Sequence, residues 1–219
     1  QAARETKTFL MEGMWTRFLP AIVQTRQWLR EGLIGEVQSL TANFGFDIGW
    51  KPESRLLNKK LGGGALLDAG IYPISFASMV FGQQPDKIMS SAQIGQTDVD
   101  ERFSVLFEYP EGKSALLSSA VRLALTNDAW IYGTRGRIHV PNFLFADTAF
   151  LHRADGTTME FKAPRKTRGF NHEIEEVMNC LQEGRTESSI MPLHETLDIM
   201  KTLDSIRGQW GLEYPEMIQ

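Results

Sequence analysis

The sequence predicts an α+β domain, a large, mostly antiparallel open sheet with helices packed on one face, and three observations carry that reading. Between residues 87 and 162 short strand-forming runs alternate with turn clusters such as Pro110-Glu111-Gly112-Lys113, Gly133-Thr134-Arg135-Gly136 and Ala154-Asp155-Gly156, and tight turns join antiparallel neighbours. Helical apolar spacing is confined to the flanks of that region, and helices grouped at the ends of an antiparallel sheet make an α+β fold. A composition of 42% hydrophobic and 23% charged residues over 219 positions is enough for a substantial core.

Residues 1–7 favour helix, and Thr8 through Met14 read as a short buried strand. A helix end followed by such a strand is half of a parallel-sheet unit. Residues 1–14 are therefore expected to be the last helix and strand of a preceding domain, with residues 15–219 forming the domain proper. The chain starts without methionine, so residue 1 is not expected to be the natural start. A strand at 8–14 without parallel neighbours would leave an apolar edge able to recruit another chain.

Leu19, Ile22, Val23, Trp28 and Leu29 recur at helical spacing, Pro20 fits the first turn, and Gly32 stops the helix. Residues 36–47 alternate well enough for a strand, and 52–60 form a polar, basic loop. A helix led by Gly62-Gly63-Gly64 then runs to about Phe81, kinked or restarted at Pro73. Strands are expected at 87–94, 102–109, 114–122, 129–132, 137–140, 148–153 and 158–162. Phe170, Ile174, Val177, Met178 and Leu181 make the apolar stripe of one closing helix, ended by Gly184. Leu193, Leu197, Met200, Leu203 and Ile206 do the same for a second, which Pro192 helps to start.

The net charge is −4 and the basic residues are scattered, which argues against nucleic acid or an anionic membrane as partner and for a small molecule. The chain has no uninterrupted apolar run of bilayer length, and its start lacks the apolar core of a secretory signal, so a cytoplasmic protein is expected. Cys180, the single cysteine, cannot close an internal disulfide and reads as a buried, inert thiol on the apolar side of its helix. His139, His152, His172 and His194 lack metal-ligand spacing, so no metal site is expected.

Chemistry is best sought in the glycine-led helix, where Asp68 and Tyr72 lie four residues apart and hence on one face. A tyrosine hydroxyl can give a proton to a forming alkoxide or take one from an alcohol. On spacing alone the plainer reading, an acid near a helix start and an amphipathic tyrosine in the core, carries more weight. The three glycines could expose amides for a phosphate, yet they match neither Gly-x-Gly-x-x-Gly nor a P-loop. Trp15 could wall a substrate pocket and Arg17 could bind an anion or hydroxyl; equally, both could be structural.

Four motifs together resemble the Gfo/Idh/MocA oxidoreductases, closest to the dimeric dihydrodiol dehydrogenase branch. They are Met11-Glu12-Gly13-Met14-Trp15-Thr16-Arg17-Phe18, Gly62 through Pro73, Gly133-Thr134-Arg135-Gly136, and Gly169-Phe170 with Glu173-Ile174. The resemblance implies an NAD(P)-dependent enzyme with an N-terminal Rossmann domain and a C-terminal α+β domain whose open sheet forms a homodimer or higher homo-oligomer. It implies Tyr72 as proton donor or acceptor, Asp68 as the residue that orients substrate or tyrosine, and Trp15 and Phe44 as pocket walls with Arg17 as their neighbour. The glycine fingerprint and the Glu-Lys-Pro motif with the family's active-site lysine are absent. The expectation is therefore the substrate-binding part of an oxidoreductase acting on a sugar, polyol, diol or related carbonyl compound. NAD or NADP would serve the intact protein without being bound by this chain alone, which would be inactive by itself. The alternative is a non-catalytic binding or assembly module, and a redox-neutral isomerase or NAD-dependent glycosidase on the same scaffold is a third reading.

Overall fold

The computed structural model describes residues 1–165 and 167–215. Eight strands form one open sheet: β1 (Val37–Gly45), β2 (Lys87–Ile94), β3 (Asp100–Glu108), β4 (Ser114–Ala120), β5 (Ala129–Gly133), β6 (Gly136–Val140), β7 (Thr148–Arg153) and β8 (Thr158–Lys162). Their spatial order is β2-β3-β4-β1-β5-β6-β7-β8. Every adjacent pair is antiparallel except β1 with β4. That parallel pair requires a crossover, and the glycine-led segment between β1 and β2 begins it. The expected strand ends agree within about two residues.

The helices are α1 (Ala2–Glu5), α2 (Pro20–Arg30), α3 (Ile71–Phe81), α4 (Phe170–Gln182) and α5 (Leu193–Gln209). Pro20 starts α2, directly after a 3-10 turn over Trp15–Phe18; its missing N–H costs nothing there because a first-turn donor has no helical partner. Along each strand alternate side chains enter the core. Leu40, Leu117, Ile131, Ile138 and Leu151 are wholly buried under the helices, each worth about 1.5–3 kcal/mol. The segment Lys59–Phe81 has the length and apolarity of a membrane span, yet most of it is buried inside this domain.

Three expectations need correction. Residues 8–14 form no strand; Leu10 N–H donates to Thr186 O at 3.1 Å, and no ladder accompanies that bond. A strand needs a ladder of such bonds, and among the described residues the Thr186 contact stands by itself. The apolar edge inferred from that strand goes with it. Secondly, the expected stripe of α4 is not a core face: Phe170, Ile174, Met178 and Leu181 are exposed, and Cys180 alone of that helix is buried. The Cys180 thiol donates to Glu176 Oε1 at 3.2 Å, an oxygen that also accepts from Ser188 Oγ, and burial raises the thiol pKa. Likewise α5 turns Ile199, Thr202, Leu203 and Ile206 inward while Leu197 and Met200 stay exposed. Thirdly, the glycine-led helix restarts before Pro73: a π-helical turn over Leu66–Gly70 precedes α3.

Candidate active site

The glycine-led turn is built around close approach. Gly64 has φ +123°, and a Cβ there would collide with the Asp100 carboxylate. One Cβ at Gly70 would sit 2.5 Å from the Phe103 ring. The glycines therefore serve packing: Asp100 Oδ2 accepts the Leu66 N–H at 2.6 Å, satisfying one of the free donors at a helix start. Tyr214 Oη donates to Gly63 O at 2.7 Å on the same turn.

This turn delivers Asp68 and Tyr72 to the rim of a cavity of about 420 Å³. Its other walls come from Glu12, Gly13 and Met14, from Met191 just before α5, and from Thr196 and Met200 on α5. The wide π turn between them does not separate the two side chains, so both face one space, as the four-residue interval suggests. They do not bond to each other; Asp68 is held by an ion pair with Arg55, a residue of the basic loop.

Tyr72 is bracketed by aromatic edges. Trp15 Nε1 points its hydrogen at Tyr72 Oη, 3.4 Å away, with ring centroids 6.4 Å apart at 75°. Phe44, inward-facing on β1, meets Tyr72 edge-on at 5.8 Å. Trp15 and Phe44 are themselves buried and support the tyrosine from behind instead of lining the cavity. Phe145 and Phe170 lie 5.4 and 5.0 Å from Trp15 and are both partly open to solvent.

Arg17 stands apart from this group. Buried to 3% exposure, it donates to Ser75 Oγ, Ser75 O and Ile190 O and pairs with Glu195 at 2.6 Å. It borders a different cavity, beneath α2. Glu173, in the first turn of α4, turns Oε2 toward Gly13 without a hydrogen-bond partner among the described residues, and burial raises its pKa.

The sequence reading missed Arg55, Phe145 and Phe170 as neighbours of the site. Arg55 lay in a loop with no periodic signal, Phe145 in a 3-10 turn (Phe143–Phe145), and Phe170 looked like a core position on α4. Glu12 and Glu173 had only their motifs to mark them. Among the described residues no three His, Cys, Asp or Glu side chains converge in a manner suited to a metal ion.

Comparison with known proteins identifies the family. The sequence profile of the GFO/IDH/MocA C-terminal domain matches residues 22–139. The chain belongs to the Gfo/Idh/MocA family of oxidoreductases. It is 37% identical to the trans-1,2-dihydrobenzene-1,2-diol dehydrogenase of Xenopus laevis over 98% of this chain, and 33% identical to that of Homo sapiens. It spans 66% of the length of each. Among solved structures of the family's fold, a 3-ketoreductase from Actinomadura kijaniata with NADP and TDP-benzene matches with a TM-score of 0.74 and 25% identity, over 94% of this chain and 64% of that one. An aldose-aldose oxidoreductase from Caulobacter crescentus, complexed with glycerol, superposes with a TM-score of 0.83 at 23% identity over 96% and 64% of the two chains. The Gfo/Idh/MocA membership accounts for the open sheet with helices on one face.

Proposed function

We propose that this chain is the substrate-binding part of an NAD(P)-dependent oxidoreductase acting on a sugar, polyol, diol or related carbonyl compound, with Tyr72 exchanging the proton. The observation that carries the reading is the joint position of Tyr72 and Asp68 on one cavity, with Tyr72 buttressed by Trp15 and Phe44. A phenol fixed on two aromatic edges has little freedom to turn away, and fixed orientation is what makes a proton donor effective. Asp68, anchored by Arg55, offers the cavity a carboxylate able to accept a substrate hydroxyl. Phe145 and Phe170 extend the aromatic surface around Trp15. Arg17 has no part in this reading, because its donors are already engaged away from the cavity.

The residues present do not make a dinucleotide site. The chain has no Gly-x-Gly-x-x-Gly, and at its glycine-led turn the Leu66 N–H that a phosphate would use is already taken by the Asp100 carboxylate, which lies against Gly64. Nicotinamide would supply the hydride chemistry; in this reading holding it falls to a further domain of the intact protein. The relatives' greater length supports this division, as do the family structures that contain NADP or NADH.

The partner in this reading is a second copy, met through the bare face of the sheet. Strand register aligns Met89, Leu106, Leu116, Thr41, Trp130, His139 and Phe150 in one row across seven strands. Such a row suits a self-complementary, two-fold interface.

The test is Tyr72→Phe in the full-length protein, assayed by nicotinamide absorbance on sugars, polyols and dihydrodiols. A loss of turnover of at least about 100-fold, the usual range for a general acid or base, is expected. Undiminished turnover would remove Tyr72 from the mechanism.

A further inference from the structure

A second cavity, of about 370 Å³, lies between α2, the end of α3 and the first turn of α5. It is separate from the Tyr72 site and independent of the function proposed there. Three guanidinium groups border it, those of Arg17, Arg26 and Arg30, together with His194, Glu195 and Asp198.

Pairing the charges leaves a surplus. Arg17 is neutralised by Glu195 at 2.6 Å, which also accepts from Ser78 Oγ, and Asp198 is bonded by Lys201 Nζ at 2.9 Å. Glu176, the other carboxylate acting on Arg26, is engaged by Ser188 Oγ at 2.6 Å and by Arg185 at 3.5 Å. Arg26 and Arg30 have no hydrogen-bond or ion-pair partner among the described residues. Yet Arg26 is only partly exposed. Burial and the neighbouring Arg17 and Arg30 lower its pKa to about 10.

A part-buried guanidinium without a partner, beside two like charges, is an unfavourable arrangement that a bound anion would relieve. Gln84, whose carbonyl oxygen accepts from Thr202 Oγ1, also borders the cavity and carries two further amide donors. The planar forks of arginine match the oxygen geometry of phosphate. We propose that this cavity is an oxyanion site that takes a phosphate group, held by Arg26 and Arg30 above a floor fixed by the Arg17–Glu195 pair.

Either free phosphate or the phosphate of a monoester would present this chemistry. Isothermal titration in a phosphate-free buffer, with inorganic phosphate in one arm and glycerol 3-phosphate in the other, separates the two. Saturable binding is expected in at least one arm, weakening as sodium chloride is raised; tighter binding of the ester identifies the monoester as the source. Arg26→Gln should weaken it at least tenfold, with Arg26→Lys retaining part of the affinity. Arg30→Gln, at the exposed end of α2, tests the same contact where the fold tolerates change, and should weaken binding about tenfold as well. No saturable binding to the unaltered protein in either arm, or the same affinity in Arg30→Gln and a folded Arg26→Gln as judged by circular dichroism, would overturn the proposal.

Discussion

The indole N–H of Trp15 points at the hydroxyl oxygen of Tyr72 across 3.4 Å, from a ring that is 95% buried. A donor on that oxygen leaves the phenolic proton free to point elsewhere, toward the cavity that Tyr72 shares with Asp68. Trp15→Phe keeps an aromatic support and deletes the donor. Since a single hydrogen bond contributes about 0.5–1.5 kcal/mol, kcat of the full-length protein should fall roughly 2- to 12-fold, far less than in Tyr72→Phe. Steady-state kinetics of the two variants side by side check this, and equal losses would contradict a supporting role for Trp15.

Arg17 is predicted to matter for stability. Its pair with Glu195 joins the 3-10 turn at Trp15–Phe18 to the first turn of α5, and the bonds to Ser75 and Ile190 tie both to α3 and the preceding loop. Removing one member of a buried pair strands the other. Arg17→Met should therefore lower the unfolding free energy by about 3–5 kcal/mol, read from urea denaturation, with KM for substrate little changed in whatever fraction stays folded.

These two residues show how far the sequence could be read. Both belong to the motif Met11 through Phe18, which marks a site region without saying which side chains face it. Two residues' difference along a 3-10 turn sends Trp15 to Tyr72 and Arg17 beneath α2, and no periodicity resolves that. The strands were legible because each pairs locally through a short turn, and period-two burial follows from the pleat. By contrast, Thr8 through Met14 is apolar without being a strand, since pairing depends on a neighbour that composition does not reveal. The stripe on α4 is likewise real in sequence and unburied in space; spacing defines a face and leaves open what covers it. Asp68 and Tyr72 were found because four residues return to one side of a helix even across a π turn. Arg55, which holds Asp68, and Phe145 and Phe170, which pack on Trp15, come from loops and remote elements, where only the fold creates proximity.

Dimerisation through the bare sheet face gives a third prediction. Leu116 sits mid-row on β4, 54% exposed, between Leu106 and Thr41. A charge there would be desolvated in a two-fold interface and harmless in a monomer. Leu116→Arg should convert a dimer at micromolar concentration into a monomer in sedimentation velocity, with thermal stability of the monomer nearly unchanged. An unaltered protein that sediments as a monomer would remove this interface.

Asp100 sets a pH dependence on the folded state. Its carboxyl is wholly buried beneath Gly64, with Oδ2 on the Leu66 N–H and Oδ1 unpartnered among the described residues. Burial pushes its pKa up to about 7 from the usual 3.8, against the opposing pull of backbone donors led by Leu66. Between about pH 4 and 7 the folded chain thus keeps a proton that the unfolded chain has released. Stability must then fall as pH rises through that window and level off above it. At about 1.4 kcal/mol per tenfold change in proton affinity, the loss from this group is roughly 3–5 kcal/mol. Asp100→Asn preserves an oxygen acceptor for Leu66 and cannot ionise, so its stability measured by urea denaturation across pH 4–8 should lose this slope and exceed that of the unaltered protein at pH 8. If the two profiles run parallel, Asp100 does not titrate in that window. Because the same carboxylate caps the turn that carries Asp68 and Tyr72, Asp100→Ala should instead cost about 0.5–2 kcal/mol relative to Asp100→Asn and loosen the site it supports.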